Sequence, residues 1–430
     1  MAQPDDFLHP RDGIMRTMER IYRYRMTTTS GGNLSIREDN DDIWITPGGV
    51  DKGQLRREDI VRVDAGGAIE GLHKASSELP FHKAIYRSTP EVRAIVHAHP
   101  VALVAFSVSG QVPDTRLFHQ ARRVCGEAGF APYGLPGSDD LAQKIARSFQ
   151  SGSRCVVLEN HGVVVGGDTL QNAFHRFETL EFVAKTIVKA RLLGEIRYLT
   201  DDEIRLPDRI PPLPEFERSS PTSREKERRR ELCQFIRRGY QQRLLVSTQG
   251  SFSARLDSES FIITPSQLDR STVEADHLVL VCRNAVEAGR IPSRASAAHS
   301  AIYRRYPDIN AIANADPVNA TAFGVSPAIL DPRLIPESFV VLRDIVRIPY
   351  GMQFTAPEQL AQELSLNRPV ALLENDGVLV VGRNVLEAFD RLEVLESTAE
   401  ALINGHILGG VVPMPSAVIE QLTQAFLLKD

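Results

Sequence analysis

The sequence predicts an α/β protein in which one unit, a central sheet with helices packed around it, occurs twice in tandem. Three observations carry that prediction. Residues 29–37, Thr-Ser-Gly-Gly-Asn-Leu-Ser-Ile-Arg, have a counterpart at 247–255, and Trp44-Ile45-Thr46-Pro47 has one at Ile262-Ile263-Thr264-Pro265, an offset of 218. Ala84-Ile85-Tyr86 recurs at Ala301-Ile302-Tyr303, and Ala173 to Glu178 recurs as Ala388 to Glu393. Register held across half a chain is the mark of a repeated domain. Second, short β-branched runs alternate with stretches of helical periodicity. Third, a proline-rich and then serine-rich stretch, 207–223, separates the copies as an extended, semi-stiff spacer. The expected domains are therefore 1–206 and 224–430.

Within the first copy, Ile14, Met18, Ile21 and Tyr22 share one helical face, and the polar stretch 27–32 ends that helix. Strands are expected at 42–46, 60–63, 94–97, 155–158 and 162–165, and helices at 76–88, 138–150 and 168–194. The run from Ala94 to Val108 reads as a buried strand leading into a helix. It holds two histidines and a proline and falls short of a membrane span.

Composition excludes several functions. The chain has 430 residues, 42% hydrophobic and 24% charged, which suits two domains each burying its own core. Its 50 basic against 55 acidic residues give a net charge of -5, with no electrostatic attraction to nucleic acid or an anionic membrane. The mixed-sign run Arg224 to Glu231 is expected to form a solvated helix face. Cys125, Cys155, Cys233 and Cys282 lack paired spacing, and Met1 to Asp6 show no basic and apolar leader, so a reduced cytoplasmic protein is expected.

The two copies differ where chemistry concentrates. Glu78, His97, His99 and His161 stand opposite Ala295, Asn314, Asp316 and Asp376. His97-Ala98-His99 ends a strand pattern, and residues two apart on a strand project from one face. Ser76-Ser77-Glu78 opens a helix, where either serine also suits a cap, and Glu159-Asn160-His161-Gly162 forms a polar turn between apolar strands.

With Ser30 to Arg37, Ile45-Thr46-Pro47-Gly48-Gly49, Ser76-Ser77-Glu78, Val96 to Pro100 and Glu159 to Gly162 in this order and spacing, the first copy resembles the class II aldolase and adducin head domain family of fuculose-1-phosphate aldolase-like proteins. The resemblance covers about residues 10–195, and a degenerate version covers about 226–410. It implies two tandem α/β/α domains, each with a largely antiparallel central sheet.

It also implies a site. His97, His99 and His161 become ligands of one divalent metal per chain, most simply Zn2+, since three neutral imidazoles leave a fourth position open. Glu78 becomes a fourth ligand of the resting metal and the acid-base group. The implied activity is that of a metal-dependent lyase acting through a metal-stabilised enediolate on a small polyol, sugar acid or sugar phosphate. A decarboxylase on the same site is the alternative, and a non-catalytic adducin-like binding module is a second one.

Gly32, Asn33, Gly48, Gly49, Ser76 and Ser77 match the family's anion seat, and backbone N–H groups, hydroxyls and a helix N-terminus suit an anion. Two positions depart from the family pattern. Gly48 replaces a hydroxyl residue, which leaves open a carboxylate as the anion, and Phe118 or His119 stands near the family's catalytic tyrosine. The degenerate copy reads as a structural pseudo-domain, since Asn314, Asp316 and Asp376 make a poor transition-metal site. By analogy the chain forms a homodimer closing a ring of four domains, or a homotetramer.

Overall fold

The computed structural model describes residues 8–218 and 220–427. Met1 to Asp6, read above for a leader, and Ser219 of the expected spacer lie outside the described residues. One compact unit comprises the described residues up to Thr115 together with Ala121–Lys185. The other comprises Arg116–Gln120 together with the described residues from Thr186 onward.

That division differs from the expected limits of 1–206, 207–223 and 224–430. The proline-rich stretch does not run free. Leu206–Arg209 winds into a 3-10 turn, and Glu215–Phe216 adds a parallel strand beside Ala285–Glu287, with Val286 N–H donating to the Pro214 carbonyl. Backbone hydrogen bonding thereby ties the stretch to the second unit.

The first unit holds an eight-stranded sheet. Its strands are β1 (Asn33–Arg37), β2 (Ile43–Ile45), β3 (Val61–Val63), β4 (Ile69–Glu70), β5 (Ala94–Ala98), β6 (Gly129–Ala131), β7 (Cys155–Leu158) and β8 (Val163–Gly167). Their order is β4-β3-β2-β1-β5-β8-β7-β6. Every pairing is antiparallel except β6 with β7. The expected strands are all present. The sheet also contains β1, β4 and β6, of which β1 begins where the polar loop ends.

Side-chain alternation along the strands gives the sheet two covered faces. Ile43, Ile45, Val61, Ile95 and Val156 pack on one side with Phe81 and Ile85 of helix Leu79–Ser88 and with Leu141, Ile145 and Phe149 of helix Asp139–Gln150. On the other side helix Pro10–Arg23 buries Ile14, Met18 and Ile21, and its Gly13 faces Ile36 and Leu170. Ser138 caps its helix by accepting from Leu141 N–H.

The second unit repeats this plan. Its strands are β9 (Glu215–Phe216), β10 (Ser251–Arg255), β11 (Ser260–Ile263), β12 (Val279–Cys282), β13 (Ala285–Glu287), β14 (Ala311–Ala315), β15 (Ile345–Ile348), β16 (Val370–Leu373) and β17 (Gly377–Gly382). Their order, β9-β13-β12-β11-β10-β14-β17-β16-β15, matches the first sheet strand for strand with β9 added at one edge. The register repeats too. Asn33 lies opposite His97 in the first sheet, and Ser251 lies opposite Asn314 in the second. Among the described residues, no helix is long and apolar enough to cross a membrane, and the four cysteines form no disulfide.

Candidate metal centre

The site of the first unit lies where β5 ends and the β7–β8 hairpin turns. β5 runs beside β8, so the end of one strand meets the hairpin of the other. His97 is the fourth residue of β5, and His99 follows the strand. Asn160 takes a positive φ of 54°, which a short polar side chain tolerates, and His161 sits next to it at the tip. Gly162 is required by close approach. A Cβ there would stand 2.5 Å from the His99 ring and 2.7 Å from the Ala98 carbonyl. Gly32 is equally constrained, with a φ of 72° and the His97 carbonyl 2.6 Å from any added Cβ.

The three imidazoles converge. One nitrogen from each of His97, His99 and His161 lies within 4.8 Å of the other two. His97 Nε2 and His99 Nε2 are 3.1 Å apart. His97 Nδ1–H donates to the Val163 carbonyl at 3.0 Å, which turns Nε2 toward the cluster. Glu78 completes the group, with Oε2 3.1 Å from His97 Nε2 and Oε1 3.5 Å from His161 Nε2. Oε1 is buried without a hydrogen bond. Three clustered ring nitrogens and a carboxylate oxygen lacking a donor are a donor set that fits a divalent metal.

The electrostatics of two of the three imidazoles agree with that fit. Burial, together with the neighbouring imidazoles, lowers His99 to about 3 and His161 to about 4, which keeps both rings neutral and available as donors. Burial also pulls His97 down, but Glu78 outweighs it and the net direction is up. Burial pushes Glu78 up, and the charge and hydrogen bond of His97 outweigh that, so its carboxyl stays well below the usual range.

The residues expected to seat an anion divide. Ser76 is buried, and its Oγ accepts from Glu78 N–H at 3.3 Å, so it organises the turn before helix Leu79–Ser88. Ser77 is exposed. Gly48 N–H already donates to the Lys74 carbonyl, whereas Gly49, at a φ of 69°, has open space around it. Asn33 is committed elsewhere: its Nδ2 donates to Glu78 Oε2 at 2.7 Å, and its Oδ1 accepts from His82 Nε2 at 2.5 Å. Phe118 and His119, near the family tyrosine position, belong to the second compact unit, where His119 Nδ1 lies 3.3 Å from Asp376 Oδ1.

Sequence reasoning missed four buried polar residues of the first unit. His82 continues into Ser35 Oγ at 2.6 Å, and Ser35 into Tyr86 Oη at 2.6 Å. Lys52 is almost fully buried, its Nζ donates to the Pro47 carbonyl at 2.5 Å, and burial lowers it to about 8. The signals were present. Glu78, His82 and Tyr86 are spaced four apart on one helix face, and Ser253, His299 and Tyr303 keep Ser35, His82 and Tyr86 in register in the second copy.

At the matching place in the second unit, burial and then the charge of Asp376 push Asp316 up to about 8, while burial pushes Asp376 up to about 7. Gln353 Nε2 donates to Asp376 Oδ2 at 2.8 Å. Arg270, where the first unit has Lys52, donates to the Pro265 carbonyl as Lys52 does to Pro47.

The model of the Class II Aldolase and Adducin N-terminal domain family matches this chain twice, over residues 12–188 and 230–403. The 3-oxo-tetronate 4-phosphate decarboxylase of Haemophilus influenzae is 36% identical over 199 residues, covering 45% of this chain and 93% of that protein. The L-fuculose phosphate aldolase of Methanococcus vannielii is 36% identical over 171 residues, covering 38% of this chain and 88% of its own length. Among solved structures, YgbL from Escherichia coli aligns with 32% identity and a TM-score of 0.42, over 45% of this chain and 95% of its own. With one match falling on each sheet, the chain belongs to the Class II Aldolase and Adducin N-terminal domain family.

Proposed function

We propose that this chain is a metal-dependent lyase of the class II aldolase type, breaking a carbon-carbon bond next to a carbonyl in a phosphorylated sugar or sugar acid. The observation that carries the reading is the convergence of His97, His99, His161 and Glu78 in the first unit. The three histidines would hold one divalent ion, with Zn2+ favoured by the all-imidazole donor set. When bound, that ion supplies Lewis acidity toward the oxygen on which negative charge develops.

The chain's own residues do the rest. Glu78, ionised and held by Asn33 through one oxygen, carries a proton to and from the carbon beside the carbonyl with the other. The fixed Nε2-outward tautomer of His97 keeps the donor geometry in place before substrate arrives. Gly49 and Ser77 present a backbone N–H and a hydroxyl beside an open turn and a helix start, which suits a phosphate or carboxylate.

Decarboxylation is the second reading, favoured by the 36% identity to a protein named as a decarboxylase. A non-catalytic binding module has no need of all four clustered side chains. The test is elemental analysis of the full chain, followed by assays with L-fuculose phosphate for release of a carbonyl fragment and with 3-oxo-tetronate 4-phosphate for release of carbon dioxide. A chain that takes up no divalent metal and turns over neither compound defeats the proposal.

A further inference from the structure

The contacts of Glu78 open onto a chain of buried polar groups whose hydrogen-bond directions are all forced. An ionised Glu78 Oε2 only accepts, so Asn33 Nδ2 donates to it and Asn33 Oδ1 turns the other way, toward His82. Oδ1 also only accepts, so His82 carries its proton on Nε2. A neutral ring then accepts at Nδ1, which requires Ser35 O–H to donate there and Tyr86 O–H to donate to Ser35. All five residues are buried.

The second unit provides an internal control. Tyr303, Ser253 and His299 form the same series, with 2.7 Å between Tyr303 Oη and Ser253 Oγ and 2.8 Å between Ser253 Oγ and His299 Nδ1. There the histidine Nε2 meets Asn314 Oδ1 at 2.7 Å. The amide has moved one strand across, from the position of Asn33 on β1 to that of His97 on β14, and Ala295 stands where the carboxylate would be. The series thus persists where it has no carboxylate to aim.

We propose that Tyr86, Ser35 and His82 are positioning residues that lock the Asn33 amide in one orientation and, through it, aim the free oxygen of Glu78 at the three histidines. The inference rests on the reading of Glu78 given under Proposed function. Without the series the Asn33 amide can turn over, presenting its own oxygen to the carboxylate and repelling it from the cluster.

The experiment pairs His82→Leu with His299→Leu in the full chain, because both rings are fully buried and lose equivalent contacts. Both variants should lose similar thermal stability. Only His82→Leu should lower kcat on whichever of the two phosphates the parent turns over. The expected loss is about ten- to hundredfold, with little change in KM or zinc content. His82→Gln, which can still donate to Asn33, should recover part of it.

With Co2+ in place of zinc, the visible spectrum of His82→Leu should move toward that of Glu78→Gln, and that of His299→Leu should match the parent. Equal losses of kcat in the paired variants, or a His82→Leu chain with parental kcat and spectrum, overturn the proposal. If the parent takes up metal but turns over neither phosphate, the Co2+ spectra decide alone. If it takes up no metal either, the reading of the site has failed, and 15N ring spectra of the metal-free chain decide. There His82 must carry its proton on Nε2, and Asn33→Ala must shift its ring signals; a proton on Nδ1, or unmoved signals, overturns the relay.

Discussion

The two units share a sheet order, a strand register, a polar series behind the sheet and a buried cation on the same carbonyl, yet only one of them gathers imidazoles. Among the differences between them, those at the metal cluster lie at the end of one strand, the tip of one hairpin and the start of one helix. Frame and chemistry are thus separable in this fold. What the units hold in common builds the frame, from which the first unit's polar series also positions Glu78, and the residues that differ are the candidates for the reaction.

The comparison breaks most sharply at the metal. His97→Ala with His99→Ala should take zinc from one ion per chain to nearly none and abolish turnover, while Asp316→Ala should leave zinc unchanged. Elemental analysis and activity decide, and two tightly held ions in the parent chain would overturn the asymmetry. Glu78→Gln comes next, with turnover lower by about a hundredfold to ten-thousandfold while most of the metal stays, because three imidazoles remain. Parental turnover in that variant would reduce Glu78 to a residue of the helix start.

Gly162→Ala tests the hairpin. The added methyl meets a backbone carbonyl and the His99 ring, so the ring must move, and zinc affinity in competition with a chelator should fall about tenfold or more. Gly49→Ala, with a positive φ but open space, should leave zinc binding at the parental level.

The smallest effect belongs to the second unit and concerns pH. Asp316 is raised in the folded chain, from 3.8 to about 8, mainly by burial. The folded state therefore binds its proton more tightly than the unfolded chain does. Its contribution is fully present below pH 3.8 and is lost as pH rises toward 8. Asp316→Asn should remove that dependence, raising Tm by a few degrees at pH 8, by less near pH 5 and hardly at all near pH 3.8. Calorimetry across this range checks the sign, and a variant less stable at pH 8 than the parent contradicts it.

Much of this was legible in the residue order. The repeat was plain because Ala84 to Tyr86 and Ala173 to Glu178 kept register, and the strand pattern through His97 to His99 aimed two imidazoles at one place. β1 was missed because Asn33 to Arg37 follows a glycine-rich turn and mixes polar with apolar residues on a strand buried from both faces. The spacer was misread because its prolines signalled extension correctly but gave no hint that Glu215 and Phe216 would find a strand edge. Lys52 was invisible because its partner is a backbone carbonyl, which carries no side-chain signature, and His82, though in step with Glu78 and Tyr86, gave no sign that distant Asn33 would be its partner.

Gly377 carries one more consequence. It occupies the place of Gly162, and a Cβ there would stand 2.4 Å from the Ala315 carbonyl and 2.8 Å from Asp316 Oδ1, the same crowding that Gly162 relieves around His99. The mould for an imidazole is thus still cut in the half of the molecule that has none at this place. For a protein engineer this makes the second half a ready receptacle: Ala295→Glu, Asn314→His, Asp316→His and Asp376→His together would restore a donor set to a hairpin already shaped to accept it. Such a chain, titrated with zinc, would reveal whether losing the chemistry was reversible or whether the frame has since closed over it.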